Sequence, residues 1–279
     1  MLRPYAGNVR RRKATMSTDH DSGPEHTRVA LERDGHVAII TFENPPLNII
    51  TAQLRPQLMA AISAVRDDSS VRCVILTGAG DRAFCAGADL NEEAELTPTS
   101  VRQFLEDDCE IFDALEELAV PVIAAVNGHC MGGGLELALS CDIRIVADDA
   151  KHLGAGVKVG LVVSTTRMTR IAGQAVAKDV LLTGRIFDGA EAVRLGLASE
   201  AVARTEVLAT ALRWAHQISA RAPLAVRRTK QSIHEASTLS YSEAMSRELD
   251  HFAALSATDD HKHAIQAFFS RTDPTFIGK

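Results

Sequence analysis

Three consecutive glycines, Gly132, Gly133 and Gly134, stand inside the apolar run GHCMGGGLELALSCD (128–142), and a glutamate, Glu136, follows two places on. Glycine inside a helix or strand costs roughly 0.5–1 kcal/mol relative to alanine, so three together need a geometric reason. A carboxylate flanked by leucines is costly as well unless something polar meets it. Two readings account for the pair. Backbone amides approach a ligand here beside an acid–base group, or the run is a tight strand-to-helix corner with a glutamate at the surface.

The flanking residues read as crossover connections. VALERDGHVAIITF (29–42) carries Asp34-Gly35 between two apolar, β-branched runs and predicts a hairpin. NPPLN (44–48) is a rigid turn, and Leu54, Leu58, Ile62 and Val65 recur at helical spacing within 50–66. VRCVILTGA (71–79) and VPVIAAVNG (120–128) are short continuous apolar runs, the pattern of strands covered on both faces. Between them, 100–118 is a helix with Phe104, Ile111, Leu115 and Leu118 on one side, and Asp107, Asp108 and Glu110 read as its solvated face. LELALSCD predicts a helix and IRIVADD (143–149) a further strand. Helices between parallel strands make a crossover sheet. HLGAGVKVGLVVSTTRMTR (152–170) shows no clean period. From AGQAVAKDVLLTG onward the remainder is largely helical. The chain thus reads as one α/β core followed by a helical extension suited to packing on another subunit.

With 279 residues, 46% of them hydrophobic, one large core is available. A net charge of -6 gives no reason to expect a nucleic-acid or membrane-surface partner. No apolar segment reaches the roughly 18 residues of a membrane span. Five cysteines, Cys73, Cys85, Cys109, Cys130 and Cys141, without paired spacing suit reduced, mostly buried thiols and a cytoplasmic setting. The opening MLRPYAGNVRRRKATMSTDH is arginine-rich and free of acids up to Asp19. It is either an organelle-import leader, residues 1–15, or a start placed upstream of Met16, and residues 1–26 are expected to be disordered.

NPPLN, AFCAGADL (83–90), PVIAAVNGHCMGGGLELALSCDIRI (121–145), LTGRIFDGAEAVRLGLA (182–198) and ATDDHKHAIQAFFSR (257–271) together resemble the enoyl-CoA hydratase/isomerase (crotonase) superfamily over about residues 28–275. The resemblance implies an α/β fold, a crotonase-like (ClpP/crotonase) spiral of β-β-α units over 27–205 that holds an acyl-CoA site. It implies a helical C-terminal region, 206–279, for trimerisation, with a homotrimer or dimer of trimers as the assembly. Coenzyme A enters as part of the substrate, with no separate cofactor and no metal.

The resemblance also assigns residues. The backbone N–H groups of Ala88 and Gly133 match the family's two oxyanion donors. A thioester turning into an enolate develops negative charge on its oxygen, which preoriented amides stabilise at little reorganisation cost. Pro46, Leu47, Ala86, Gly87, Asp89 and Leu90 would flank coenzyme A and the acyl group, with Gly132 giving close approach. His129 either touches the acyl-CoA or simply packs. Pro45 and Pro46 stand where many relatives carry a basic residue, so phosphate contacts would fall to Lys262 or Arg271, of the same or a neighbouring chain; both read equally well as solvated surface. A phosphate-loop or metal reading of the glycines fails, since no lysine–serine pair follows them.

Glu136 matches the first of the two glutamates that hydratases use, one as base and one as acid. The second is missing. Gly156 occupies its position, the following segment is about three residues shorter than in relatives, and no acid lies between Lys151 and Arg170. His152 and Lys158 share that setting. Glu92 and Glu93 lie on the loop lining the acyl end; Cys85 and Cys130 have no histidine partner at readable spacing. Reversible hydration of a 2-enoyl-CoA, a lyase reaction, leads the readings. Double-bond isomerisation or another single-carboxylate enolate reaction stands second, and a catalytically weak acyl-CoA-binding scaffold third.

Overall fold

A computed structural model describes residues 27–279; residues 1–26, expected to be a disordered leader or to follow from a misplaced start, lie outside the described residues. The expected hairpin opens the fold. β1 (Arg28–Asp34) and β2 (Val37–Glu43) pair antiparallel around Gly35, whose φ of +58° suits the tight turn. α1 (Leu54–Asp67) then crosses to β3 (Cys73–Gly78), parallel to β2. A short strand, β4 (Ala83–Cys85), precedes α2 (Leu90–Ala94) and α3 (Val101–Glu116).

The pattern of one longer strand, one short strand and a helix now recurs. β5 (Val122–Val126), β6 (His129–Met131) and α4 (Gly133–Leu139) make one turn; β7 (Ile143–Ala147), β8 (His152–Leu153) and α5 (Thr165–Thr183) make the next. α6 (Gly189–Arg194) and β9 (Glu200–Val202) complete the core. The longer strands form a six-stranded sheet in the order β1-β2-β3-β5-β7-β9, and the short ones a parallel three-stranded sheet, β4-β6-β8. This is a spiral of β-β-α units. α7 (Val207–Ser219), α8 (Pro223–Thr238), α9 (Tyr241–Ser256) and α10 (Asp259–Ser270) follow.

β3 is buried at all six positions because both its faces are covered. Val74 and Leu76 join the core beneath α1 and α3, while Cys73 and Ile75 face Val207, Ala211 and Ala215 of α7. Phe42 of β2 meets Phe84 of β4 edge-on, ring centres 5.3 Å apart, and so ties the small sheet to the large one. By contrast α8 and α9 bury no residue, leaving Tyr241, Leu249 and Phe252 exposed, as are Phe268 and Phe269 of α10. No helix among the described residues is long and apolar enough to cross a membrane.

Two features depart from the sequence reading. The small sheet was not visible in it, because strands of two or three residues carry no period. α5 begins at Thr165, inside the stretch that showed no clean period, with Ser164 left-handed (φ +59°) at its start and a break at Gly173.

Candidate active site

The glycine run resolves into three separate requirements. Gly132 has φ +54° and ψ -121°, a conformation that strongly favours glycine, and ends β6 with its N–H donated to the Leu153 carbonyl. A β-carbon on Gly134 would lie 2.1 Å from the Cys85 carbonyl oxygen, so only glycine lets α4 settle against β4. Gly133, between them, is the first residue of α4, where backbone N–H groups have no partner within the helix.

The other half comes from the loop after β4. Ile50 bridges Ala88 in parallel fashion. Its N–H donates to the Gly87 carbonyl at 2.8 Å, and its carbonyl accepts from Asp89 at 3.2 Å, so the Ala88 N–H takes no part in the bridge. Ala86 donates to the Leu47 carbonyl at 3.0 Å, fastening this loop to the NPPLN turn. Asn48 locks the same junction by donating to the carbonyls of Ala79 and Ala83, a role the sequence reading missed. The two amides meet closely. A β-carbon on Gly87 would lie 3.2 Å from the Gly133 nitrogen, and one on Gly133 would lie 3.5 Å from the Ala88 nitrogen. The second reading of the run, a corner with a surface glutamate, does not hold, because Glu136 lies inward.

Glu136 sits one turn into α4 with its side chain 14% exposed. Its Oε1 accepts from Arg167 Nη1 at 2.7 Å, and its Oε2 is buried with no hydrogen-bond partner. Arg167, on α5, also donates from Nε to Glu116 at 3.0 Å and from Nη2 to Asp113. Burial would lower its pKa, but the hydrogen bond and charge of Glu136, then Glu116, outweigh that and raise it. Nothing in the sequence singled out Arg167, because the start of α5 was unreadable.

At Gly156 a β-carbon would lie 2.7 Å from the Leu161 carbonyl oxygen and 3.1 Å from the Val163 nitrogen. The 161–163 backbone therefore folds back over Gly156 and leaves no room there for a side chain. His152 stacks on Phe187 with ring centres 5.2 Å apart, and burial pushes its pKa down to about 4. Lys158 is exposed. Burial pushes the Cys85 thiol up to about 12 and Cys130 well above its usual value, which leaves neither as a thiolate nucleophile.

The remaining positions fall on several surfaces. Pro46 and Leu90 are exposed, Leu47 and Asp89 half-buried, and the Asp89 side chain accepts from the Asn91 N–H to start α2. His129 is half-buried, its Nδ1 accepting from the Lys151 N–H at 3.1 Å. Lys262 is exposed on α10 and paired with Asp259; Arg271 caps the same helix in a left-handed conformation. Glu92 accepts from the Ala52 N–H and pairs with Arg55. Burial raises the pKa of half-buried Glu93. Asp108 corrects the sequence reading. It is 7% exposed rather than solvated, and accepts from Arg55 Nε at 2.7 Å, because α3 packs that face on α1.

A model of the enoyl-CoA hydratase/isomerase family matches residues 32–279. The chain belongs to this family. A short-chain-enoyl-CoA hydratase of Clostridium acetobutylicum is 36% identical over 252 residues, 88% of this chain and 96% of that protein. A crotonyl-CoA hydratase of Syntrophomonas wolfei is 34% identical over 91% of this chain and 99% of its own length. The crystal structure of an enoyl-CoA hydratase from Bacillus anthracis superposes with a TM-score of 0.87 at 30% identity, covering 90% of this chain and all of that one. In this hydratase/isomerase chain the match runs through the spiral core and on over the helices that follow it.

Proposed function

We propose that the protein is an enzyme of enoyl-CoA hydratase type, adding water reversibly across the double bond of a 2-enoyl-CoA. The observation that carries this reading is the placement of the Ala88 and Gly133 amides against one another, with the unpartnered oxygen of Glu136 on the same short helix. The thioester oxygen sits between the two N–H groups. Glu136 Oε2 takes a proton from water while the water oxygen bonds to the β-carbon, and the C=C electrons move onto the thioester oxygen as an enolate. The protonated Glu136 then returns that proton to the α-carbon as the enolate collapses. One water is added, and one carboxylate serves in turn as base and acid.

The space closed at Gly156 favours a second reading, migration of a double bond by the same carboxylate without net addition. The exposed apolar residues of α9 and α10 support a homotrimer or dimer of trimers. Incubation with a panel of 2-enoyl- and 3-enoyl-CoAs, followed by mass spectrometry, tests the proposal. Addition of 18 Da to crotonyl-CoA, reduced about 10²–10⁴-fold in Glu136→Gln, is the expected result. Conversion between positional isomers without mass gain would support the second reading. Hydration undiminished in the glutamine variant, or none with any member of the panel, overturns the proposal.

A further inference from the structure

A single carboxylate that both removes and returns a proton must keep one oxygen aimed at the reacting atoms through both transfers. Rotation about its terminal bond would exchange the two oxygens or turn both away. Glu136 is held against that rotation from behind, its Oε1 fixed by Arg167 Nη1 at 2.7 Å and only Oε2 left free. Arg167 is itself held at each nitrogen by a different carboxylate, Glu136, Glu116 and Asp113, and its guanidinium lies 5.8 Å from the centre of the Phe112 ring. At 13% exposed it cannot swing into solvent without breaking all three. Glu116 is braced in turn by Arg170 at 3.2 Å.

We infer that Arg167 is a positioning residue for proton transfer, locking Glu136 with one oxygen presented to substrate and so compensating for the carboxylate absent at Gly156. This rests on Glu136 being the proton-handling group, and it deepens that reading. Arg167, in the first turn of α5, thereby ties that helix to Glu136 of α4 and to Glu116 and Asp113 of α3. A planar fork suits the task, since its nitrogens lie at fixed angles and each can be pinned separately.

Exchange of the α-protons of butyryl-CoA with deuterated water reports proton transfer whether or not the enzyme hydrates. For Arg167→Met, the exchange rate and kcat for hydration are expected to fall together by about 10²-fold, the cost of a misaligned catalytic group, with KM unchanged. Arg167→Lys, which keeps one donor, recovers part of the loss. Glu116→Gln, which unpins the guanidinium without touching Glu136, gives a smaller fall in the same direction and remains informative if Arg167→Met does not fold. Exchange in the wild type without hydration would sink the hydratase proposal and leave the inference about Arg167 standing. Exchange and kcat unaltered in Arg167→Lys and Glu116→Gln, or a change confined to KM or thermal stability, would overturn the inference.

Discussion

The two walls of the site are built from different materials. On one side, the loop after β4 and the first turn of α4 present main-chain N–H groups, and side chains matter there chiefly by being absent, at Gly132, Gly133 and Gly134. On the other, the segment from Gly156 to Arg167 presents side chains, and its chemistry follows from where a helix starts. Backbone donors move only if the fold moves. A side-chain wall depends instead on which residues its segment carries and on where its helix starts, as the closure over Gly156 and the position of Arg167 illustrate.

This contrast can be broken experimentally, most strongly at the backbone wall. Gly133→Ala places a methyl group 3.5 Å from the Ala88 nitrogen, in ordinary contact with its neighbours but in front of the donors. A loss of about 10²–10³ in kcat is expected, comparable to removing an oxyanion donor, with the thermal midpoint unchanged. Wild-type turnover in this variant would mean that the thioester oxygen does not sit there.

The side-chain wall is tested by placing an acid at Gly156, where the resemblance expects one. Gly156→Glu drives a β-carbon to 2.7 Å from the Leu161 carbonyl, so the expected outcome is destabilisation of about 1–3 kcal/mol and no gain in hydration. A faster enzyme would show that this wall tolerates the acid after all.

A smaller effect is expected at His152, on the strand that leads into the same wall. Its folded pKa of about 4 lies below the unfolded value near 6.5, so the unfolded chain binds the extra proton between the two. The stability contributed by its neutrality is complete above pH 6.5 and declines as pH falls, by about 2 kcal/mol at pH 5. Urea titrations at pH 7 and pH 5 should therefore show a narrower gap between midpoints for His152→Phe than for the wild type. Equal gaps would detach His152 from the acid sensitivity of the fold.

Legibility followed the same division. The hairpin, the apolar strands, α1 and α3 could be read because each repeats at period 2 or 3.6, or runs apolar between turn residues. The glycine run and Glu136 stood out because glycine and a leucine-flanked carboxylate are conspicuous locally, whereas Ala88 was assigned only by the resemblance. Asp108 could not be placed, since whether an acid on a helix faces water depends on what packs there, here Arg55 of α1. Arg167 sat in a stretch without a period, and its partners come from α3 and α4, far away in sequence.

The sequence alone determined the hairpin, the longer strands and most of the helices, the position of the glycine corner and the absence of any acid between Lys151 and Arg170, because each is set by local backbone preference or by residue identity. Tertiary structure decided which carboxylates are buried, what closes over Gly156 and which cation holds Glu136. Those depend on distances between segments remote along the chain, and local preference carries no information about them.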